Sequence, residues 1–177
     1  MDFKYYLKQG IGLMTLNRDI VEEMSKDKNA FAPAVLFFAI GGLAAPGAMF
    51  TWGGITGIII GTVSGPVFSV IFSFIGVGIL YLLAKLFGGA GQFKGYYSAL
   101  GIGSLPIWAA IIPPYYTILG LYISFCSIPI AVVVTNRVHK LSTGKARIVW
   151  IFVAVLYYFY LRFFYRFFFD MSHALWQ

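Results

Sequence analysis

Long apolar runs, separated by short polar segments, dominate the chain from residue 30 onward. The first run, from about Ala30 to Phe50, carries no charge and is close to the ~20 residues that a helix needs to cross the hydrocarbon core of a bilayer. Further apolar runs predict spans at about 66–87, 96–112, 115–135 and 146–169. The pattern therefore predicts an all-α integral membrane protein with about five transmembrane helices.

The segment before the first span, residues 1–29, has apolar positions that recur at intervals of three and four, which is typical of an amphipathic helix. Asn17 and Asp19 are suited to cap a second helical piece, because Glu22 follows Asp19 by three positions. The segment has no apolar stretch of the kind found in a cleavable signal peptide, so we expect none. We expect the segment to lie on the membrane or to dock beneath the helix bundle, and a partner-binding surface is the alternative.

Four glycines repeat at every fourth position ahead of the second predicted span, and they are Gly53, Gly57, Gly61 and Gly65. Small residues at this spacing form a smooth stripe for close helix packing. The stripe fits packing within one chain, contact between copies in a homo-oligomer, or a pore or lipid groove.

The apolar stretch that contains these glycines is too long for one straight span. Residues 51–88 would form a helix of ~57 Å, whereas the hydrocarbon core is ~30 Å thick. Pro66 predicts a break within the stretch, since proline lacks the N–H that continues a helix. Residues 52–65 are then expected to form a Gly-rich half-helix or a re-entrant segment.

Composition and charge agree with a lipid environment. Hydrophobic residues make up 60% of the chain and charged residues only 11%, against ~25% charged residues in soluble domains. No acidic residue lies between Asp27 and Asp170. The basic residues flank the apolar runs and form no single patch, so the net charge of +7 does not indicate nucleic-acid binding. Most of them fall on one side of the membrane if the N-terminus is cytoplasmic, which is the orientation that we expect.

Groups for catalysis or metal binding are missing from the predicted spans, which contain no Asp, Glu or His. Cys126 is the single cysteine, and His139 and His173 are 34 positions apart, so no metal site and no cofactor are predicted. General acid–base catalysis needs a titratable group held near the substrate. We therefore expect a protein that is not an enzyme.

Two groups of basic residues are candidate sites for a lipid phosphate or another anion. Arg162 and Arg166 stand four positions apart and share a helix face within an aromatic block. Arg137, Lys140 and Lys145 lie in the polar loop before the last predicted span. The alternative for both groups is a role in orientation, since interfacial arginines extend toward water and basic loops stay on the cytoplasmic side.

Three segments resemble motifs of the Yip domain family, which comprises multi-pass membrane proteins that interact with Ypt/Rab GTPases. Residues 82–93 (LLAKLFGGAGQF), 99–106 (ALGIGSLP) and 139–146 (HKLSTGKA) occur in the order and at the spacing of the family. The family-motif positions that we single out are Gly88, Gly89, Pro106, Ser142 and Lys145.

The resemblance covers roughly residues 30–160 and implies a five-helix membrane domain, here 30–169, between a cytosolic N-terminal region at 1–29 and a short tail at 170–177. It implies a role in organising or shaping membranes through contacts with lipids and proteins. The chain is most similar to the compact prokaryotic members, because it lacks the DLYGP motif and its N-terminal region is short, and we do not expect a small-GTPase partner. A transporter or channel for a small solute, ion or lipid is the alternative function, since broken helices are tolerated in membranes where they line cavities.

Overall fold

The computed structural model describes residues 2–111 and 118–155, and the side chains of residues 2–43, 54–108 and 127–155. These residues form helices and no strand, so the all-α class is confirmed. The helices are α1 (Phe3–Met14), α2 (Arg18–Lys26), α3 (Phe31–Gly41), α4 (Ala45–Leu86), α5 (Phe93–Ile102), α6 (Ile118–His139) and α7, described over 143–155, with 3-10 turns at Gly42–Ala44 and Leu105–Ile111.

The N-terminal segment is a hairpin of two helices, α1 and α2. Asn17 caps α2 as the sequence predicts, since its side-chain oxygen accepts a hydrogen bond from the backbone N–H of Asp19 at 3.0 Å. Two tyrosines tie the helices together: Tyr5 Oη donates to Glu23 at 2.5 Å and Tyr6 Oη donates to Asp27 at 2.7 Å. Burial and the Asp27 carboxylate raise the pKa of Tyr6 to about 12, so this hydroxyl remains a donor at neutral pH.

The inner face of the hairpin is part of the hydrophobic core. Tyr6 and Leu13 of α1 are buried together with Val21 and Met24 of α2. The helix α2 packs on α5 and α6, and α1 packs on α5. The hairpin is therefore docked against the bundle through apolar side chains, which is one of the two arrangements that the amphipathic pattern predicts.

Helices α3 and α5 approach closely because small residues lie between them. A Cβ atom placed on Gly101 would lie 2.6 Å from Cβ of Ala34, so only glycine fits at this contact. Phe37 and Tyr97 are fully buried on either side of it. These aromatic side chains form the centre of the core between α3, α4 and α5.

The break predicted at Pro66 is wrong. Helix α4 continues through Pro66 and is interrupted instead at Gly54, where φ is 57° and ψ is −139°. Glycine adopts this left-handed conformation readily because it has no Cβ, whereas a proline removes one hydrogen bond and is tolerated where the neighbouring turns are intact. Residues 54–65 thus belong to the same helix as 66–86, and the separate half-helix or re-entrant segment expected at 52–65 is not found.

Most of the apolar surface of α4 lies outside the bundle. The part from Gly54 to Leu86 has 33 residues. In its most apolar stretch of 18 residues, only 17% is buried inside the protein. Its exposed side chains include Ile55, Ile59, Val63, Val67, Phe68, Ile71, Phe72, Ile75, Ile79, Leu82 and Leu86. Such a continuous apolar face is unfavourable in water and favourable in hydrocarbon. Among the described residues this is the one helix long and apolar enough to cross a bilayer, and the count of five spans stays a prediction.

Of the other predicted spans, the first is split, since α3 ends at Gly41 and α4 begins at Ala45 after the 3-10 turn Gly42–Ala44. The third is interrupted, because α5 ends at Ile102 and the following 3-10 turn, Leu105–Ile111, contains Pro106. The fourth corresponds to α6, which extends past the predicted end at Thr135 to His139. The fifth begins with α7.

A buried hydroxyl joins α5, α6 and α7. Thr135 Oγ1 donates to the Ala131 carbonyl at 2.8 Å and accepts from Trp150 Nε1 at 2.9 Å, and Tyr96 Oη lies 2.7 Å away as a second donor. Thr135 and Tyr96 are both fully buried. All three bonds therefore depend on one oxygen atom that water does not reach.

Substitution of Thr135 by valine should destabilise the protein by about 2 kcal/mol, because the Tyr96 hydroxyl and the Trp150 N–H would lose their acceptor. Thermal unfolding in detergent micelles measures the loss. Thr135→Ser is the matched control, since it keeps the oxygen and removes only the methyl group. Equal loss of stability in both variants would contradict a contribution from the hydroxyl.

Candidate functional site

A polar pocket of about 430 Å³ lies where the hairpin meets the end of α6. Helix α2 contributes Glu22 and Lys26, the last turns of α6 contribute Asn136 and Arg137, and the loop before α7 contributes Lys140. We call this the α2–α6 pocket. It combines residues that are more than 100 positions apart in the chain.

Positive charge predominates in the α2–α6 pocket. The Glu22 carboxylate is shared between Lys26 and Arg137, each with an N–O distance of 3.6 Å. Lys140 forms no ion pair with a described residue. The pocket thus contains three cations and one carboxylate, and its ion pairs are partly exposed to solvent, where such pairs stabilise little.

The Arg137 side chain is incompletely paired. Its Nε atom is buried and has no hydrogen-bond partner within the described part of the chain. A buried donor without an acceptor is unfavourable, and more so when the group is charged.

The loop geometry places Lys140 at the rim of the pocket. The backbone of Lys140 is left-handed, with φ of 55°, and this turn ends α6. Asn136 stabilises the turn, since its Nδ2 donates to the Leu141 carbonyl and its own carbonyl accepts from Leu141 N at 3.1 Å. Uncommon backbone conformations at a non-glycine residue persist where surrounding bonds hold them.

The structure separates Lys145 from the other two basic residues of this loop. Its Nζ donates to the Phe87 carbonyl at 3.2 Å, at the C-terminal end of α4. The cation thus contacts a carbonyl directly after α4 and lies at the negative end of the helix dipole. Ser142 Oγ accepts from the backbone N–H of Lys145 at 3.4 Å in the first turn of α7. Lys145 does not line the α2–α6 pocket.

Gly88 and Gly89 lie at the end of α4, directly after the second predicted span at 66–87. Gly88 is left-handed with φ of 91°, Gly88 N donates to Lys85 O at 2.9 Å, and Gly89 N donates to Ala84 O at 2.8 Å. These two bonds satisfy the last carbonyls of the helix. The glycines also contact α6, because a Cβ on Gly89 would lie 2.6 Å from Nδ1 of His139. Two family-motif segments, 82–93 and 139–146, are therefore in contact.

His139 is fully buried at this contact, next to the α2–α6 pocket in sequence. Its ring lies 4.6 Å from the ring of Tyr96 and 5.5 Å from that of Tyr81, between ring centroids. Neither ring nitrogen has a hydrogen-bond partner among the described residues. Burial, and to a lesser degree the nearby Lys85 charge, lower the pKa of His139 to about 4. The sequence pattern suggested His139 only as a metal ligand and did not predict that it is a buried contact residue. Its position in the 139–146 motif was the available indication.

Other sequence-derived candidates have separate locations. Gly57, Gly61 and Gly65 are buried, while the side-chain position of Gly53 is outside the described part. Gly65 contacts the 3-10 turn that follows α3, since a Cβ on Gly42 would lie 2.5 Å from the Gly65 carbonyl oxygen. Arg162 and Arg166 lie outside the described residues, so their role stays a prediction.

A second cavity, of about 220 Å³, is apolar. Its lining includes Val77, Leu100, Ile130 and Trp150, and Ser73, which shares a hydrogen bond of 2.7 Å with the Tyr97 hydroxyl. No cluster of three metal-binding side chains occurs within 2–111 and 118–155. The pocket with charged groups is therefore the stronger candidate site.

A family model described as the Yip1 domain matches residues 11–164, which include α2, the complete α2–α6 pocket and the three family-motif segments 82–93, 99–106 and 139–146. No curated protein and no solved structure matches the chain.

Proposed function

Since the chain belongs to the Yip1 domain family of membrane proteins, we propose that it is a non-enzymatic, multi-pass protein that organises or shapes its membrane through contacts with lipids and proteins. The observation that carries the proposal is the outer face of the docked hairpin. Ile11, Met14 and Leu16 are 55%, 47% and 40% exposed at the end of α1, and Lys8 and Arg18 are exposed beside them. We call these five residues the hairpin tip.

The hairpin tip combines the two properties of an interfacial membrane binder. Apolar side chains enter the boundary between headgroups and acyl chains, while basic side chains attract anionic headgroups. The inner face of the hairpin is already occupied by the bundle, so the tip is held at a fixed place on the protein. Leu16, with φ of 59°, forms part of the tight turn that exposes these residues.

A fixed apolar tip gives a physical route to membrane shaping. Side chains that enter only one leaflet occupy area there and favour curvature, and the effect depends on lipid composition. The exposed face of α4 keeps the protein in the same bilayer that the tip contacts. The cytoplasmic location of the N-terminus in this proposal is supported by the distribution of basic residues.

Replacement of the three apolar residues of the tip should abolish membrane shaping without loss of folding. The full-length variant Ile11→Ser, Met14→Ser, Leu16→Ser is reconstituted into liposomes that contain anionic lipid, and vesicle diameter and tubule formation are measured by electron cryo-microscopy. We expect small or tubular vesicles with the wild-type protein and vesicles like those of protein-free controls with the variant. The apolar side chains are exposed, so the melting temperature should change little.

A matched control removes an equally exposed apolar side chain elsewhere. Ile148 of α7 is 50% exposed, and Ile148→Ser should shape membranes as the wild type does. Unchanged shaping by the triple variant, or no shaping by the wild type, would refute the proposal.

A further inference from the structure

We infer that the α2–α6 pocket binds a phosphate group, either from an anionic lipid headgroup or as free phosphate, and that the bound phosphate links the hairpin to the bundle. The inference rests on the proposed function, because it identifies one of the lipid contacts in atomic terms. It concerns residues different from those of the hairpin tip.

Charge in the pocket is the first reason. Lys26, Arg137 and Lys140 bring three positive charges to one cavity, and among the described residues Glu22 is the only carboxylate that lines it. Glu22 lies 3.6 Å from each of two cations, which is longer than a close charge-assisted hydrogen bond. The pocket therefore retains positive charge that an anion of two negative charges would balance.

The unpaired nitrogen of Arg137 is the second reason. Its Nε is buried and lacks an acceptor among the described residues, while its Nη1 faces Glu22. A guanidinium group presents Nε and an Nη atom along one edge, and this edge matches two oxygens of a phosphate. A phosphate in the pocket would supply the acceptor that the described residues do not, once the Arg137 side chain turns this edge toward the pocket.

The size and position of the pocket are the third reason. Its volume of about 430 Å³ exceeds that of a single ion and lies within the range of small-molecule sites, so a headgroup can enter with its phosphate. Two of the three cations come from α6 and the loop after it, and Lys26 comes from α2. A ligand that contacts both sides binds only the docked hairpin and thereby stabilises docking.

Glu22 gives the inference a distinctive consequence. It pairs weakly with Lys26 and Arg137, so it would compete with an incoming anion for these cations and repel that anion. Removal of this carboxylate should strengthen phosphate binding, although it removes both ion pairs. A pocket whose ion pairs served only the fold would show no such gain.

The experiment measures binding to the full-length protein in two settings. In uncharged detergent, inorganic phosphate is titrated and the change in melting temperature is followed. In nanodiscs of phosphatidylcholine, phosphatidic acid or phosphatidylserine is added at equal mole fraction, and bound lipid is counted by native mass spectrometry. A response to both phosphate and phosphatidic acid would show that the site recognises the phosphate group itself. A response to phosphatidic acid alone would identify the ligand as a lipid headgroup, and a response to phosphate alone would identify it as the free ion. No response to any of these probes would overturn the inference.

Variants decide whether the pocket is responsible. Arg137→Gln and Lys140→Gln should each weaken binding by about tenfold, the effect of one lost charge-assisted contact, and Glu22→Gln should strengthen it. Lys140 is exposed, so Lys140→Gln tests the site even if Arg137→Gln fails to fold. The matched control is Lys28→Gln, which removes an exposed charge outside the pocket.

Equal weakening by Lys28→Gln, or binding by Lys140→Gln that equals the wild type, would overturn the inference in favour of general charge attraction. Nanodiscs have a fixed flat shape, so binding is measured independently of membrane shaping. Phosphate binding without membrane shaping would refute the proposed function and leave the phosphate site intact. Membrane shaping without phosphate binding would refute the phosphate site and leave the proposed function intact.

Discussion

Replacement of Gly95 by valine should release the N-terminal hairpin from the helix bundle. A Cβ at Gly95 would lie 2.3 Å from the carbonyl oxygen of Ser25 and 3.2 Å from its carbonyl carbon. Both atoms belong to the backbone of α2, which cannot turn aside as a flexible side chain does. The helix α2 must therefore move away, and the burial of Val21 and Met24 is lost with it.

The expected cost is about 3 kcal/mol or more, since burial of one large apolar side chain contributes ~1.5–3 kcal/mol. Hydrogen–deuterium exchange measures the release directly. Amides of Arg18–Lys26 should exchange much faster in Gly95→Val, whereas those of α5 and α6 should retain most of their protection. Gly144→Val is the control, because a Cβ at Gly144 meets no atom within 4 Å. Unchanged protection of α2 in Gly95→Val would show that this contact does not hold the hairpin.

Acidification from pH 6.5 to pH 4 should destabilise the wild-type protein by about 3 kcal/mol through His139 alone. The pKa of His139 is about 4 in the folded protein and 6.5 when the residue is free. Its ring is therefore neutral in the fold and takes a proton first in the unfolded chain. Stability from this residue is complete above pH 6.5 and declines as the pH falls toward 4.

Melting temperature measured between pH 4 and pH 8 checks this expectation. Among the described residues, the charged and titratable groups that face His139 are Lys85, Tyr81 and Tyr96. His139→Phe is the matched variant, because it keeps an aromatic ring that cannot bind a proton. The variant should lose that part of the pH dependence. An identical decline in both proteins would assign the effect to carboxylates elsewhere.

The two predictions concern neighbouring parts of one arrangement. Gly95 sets the distance between α2 and α5, and His139 fills the contact between α4 and α6. The α2–α6 pocket lies between these contacts, since Arg137 is two residues before His139 and Ser25 borders both Gly95 and the pocket. Changes at either residue should therefore also alter phosphate binding.

Local and periodic features of the structure were predictable from the sequence. The cap at Asn17 and the end of α4 at Gly88 and Gly89 depend on hydrogen bonds that span at most five residues. The helical class follows from the spacing of apolar residues, and the family follows from three short motifs. The sequence also identified Arg137 and Lys140 as candidate anion ligands, because basic residues in a short polar loop are visible without a fold.

Tertiary structure alone decided which of these residues act together. Helix α4 continues through Pro66 because the turns around the proline remain hydrogen-bonded. The comparison of the apolar stretch at 51–88 with the thickness of a bilayer did not predict this continuation. Glu22 meets Arg137 across 115 positions of sequence, and Lys145, only five residues from Lys140, contacts Phe87 instead. Capping and periodicity act over a few residues, so they can be inferred from the order of residues along the chain. A pocket depends on how distant helices pack, so it can be described only from distances in the tertiary structure.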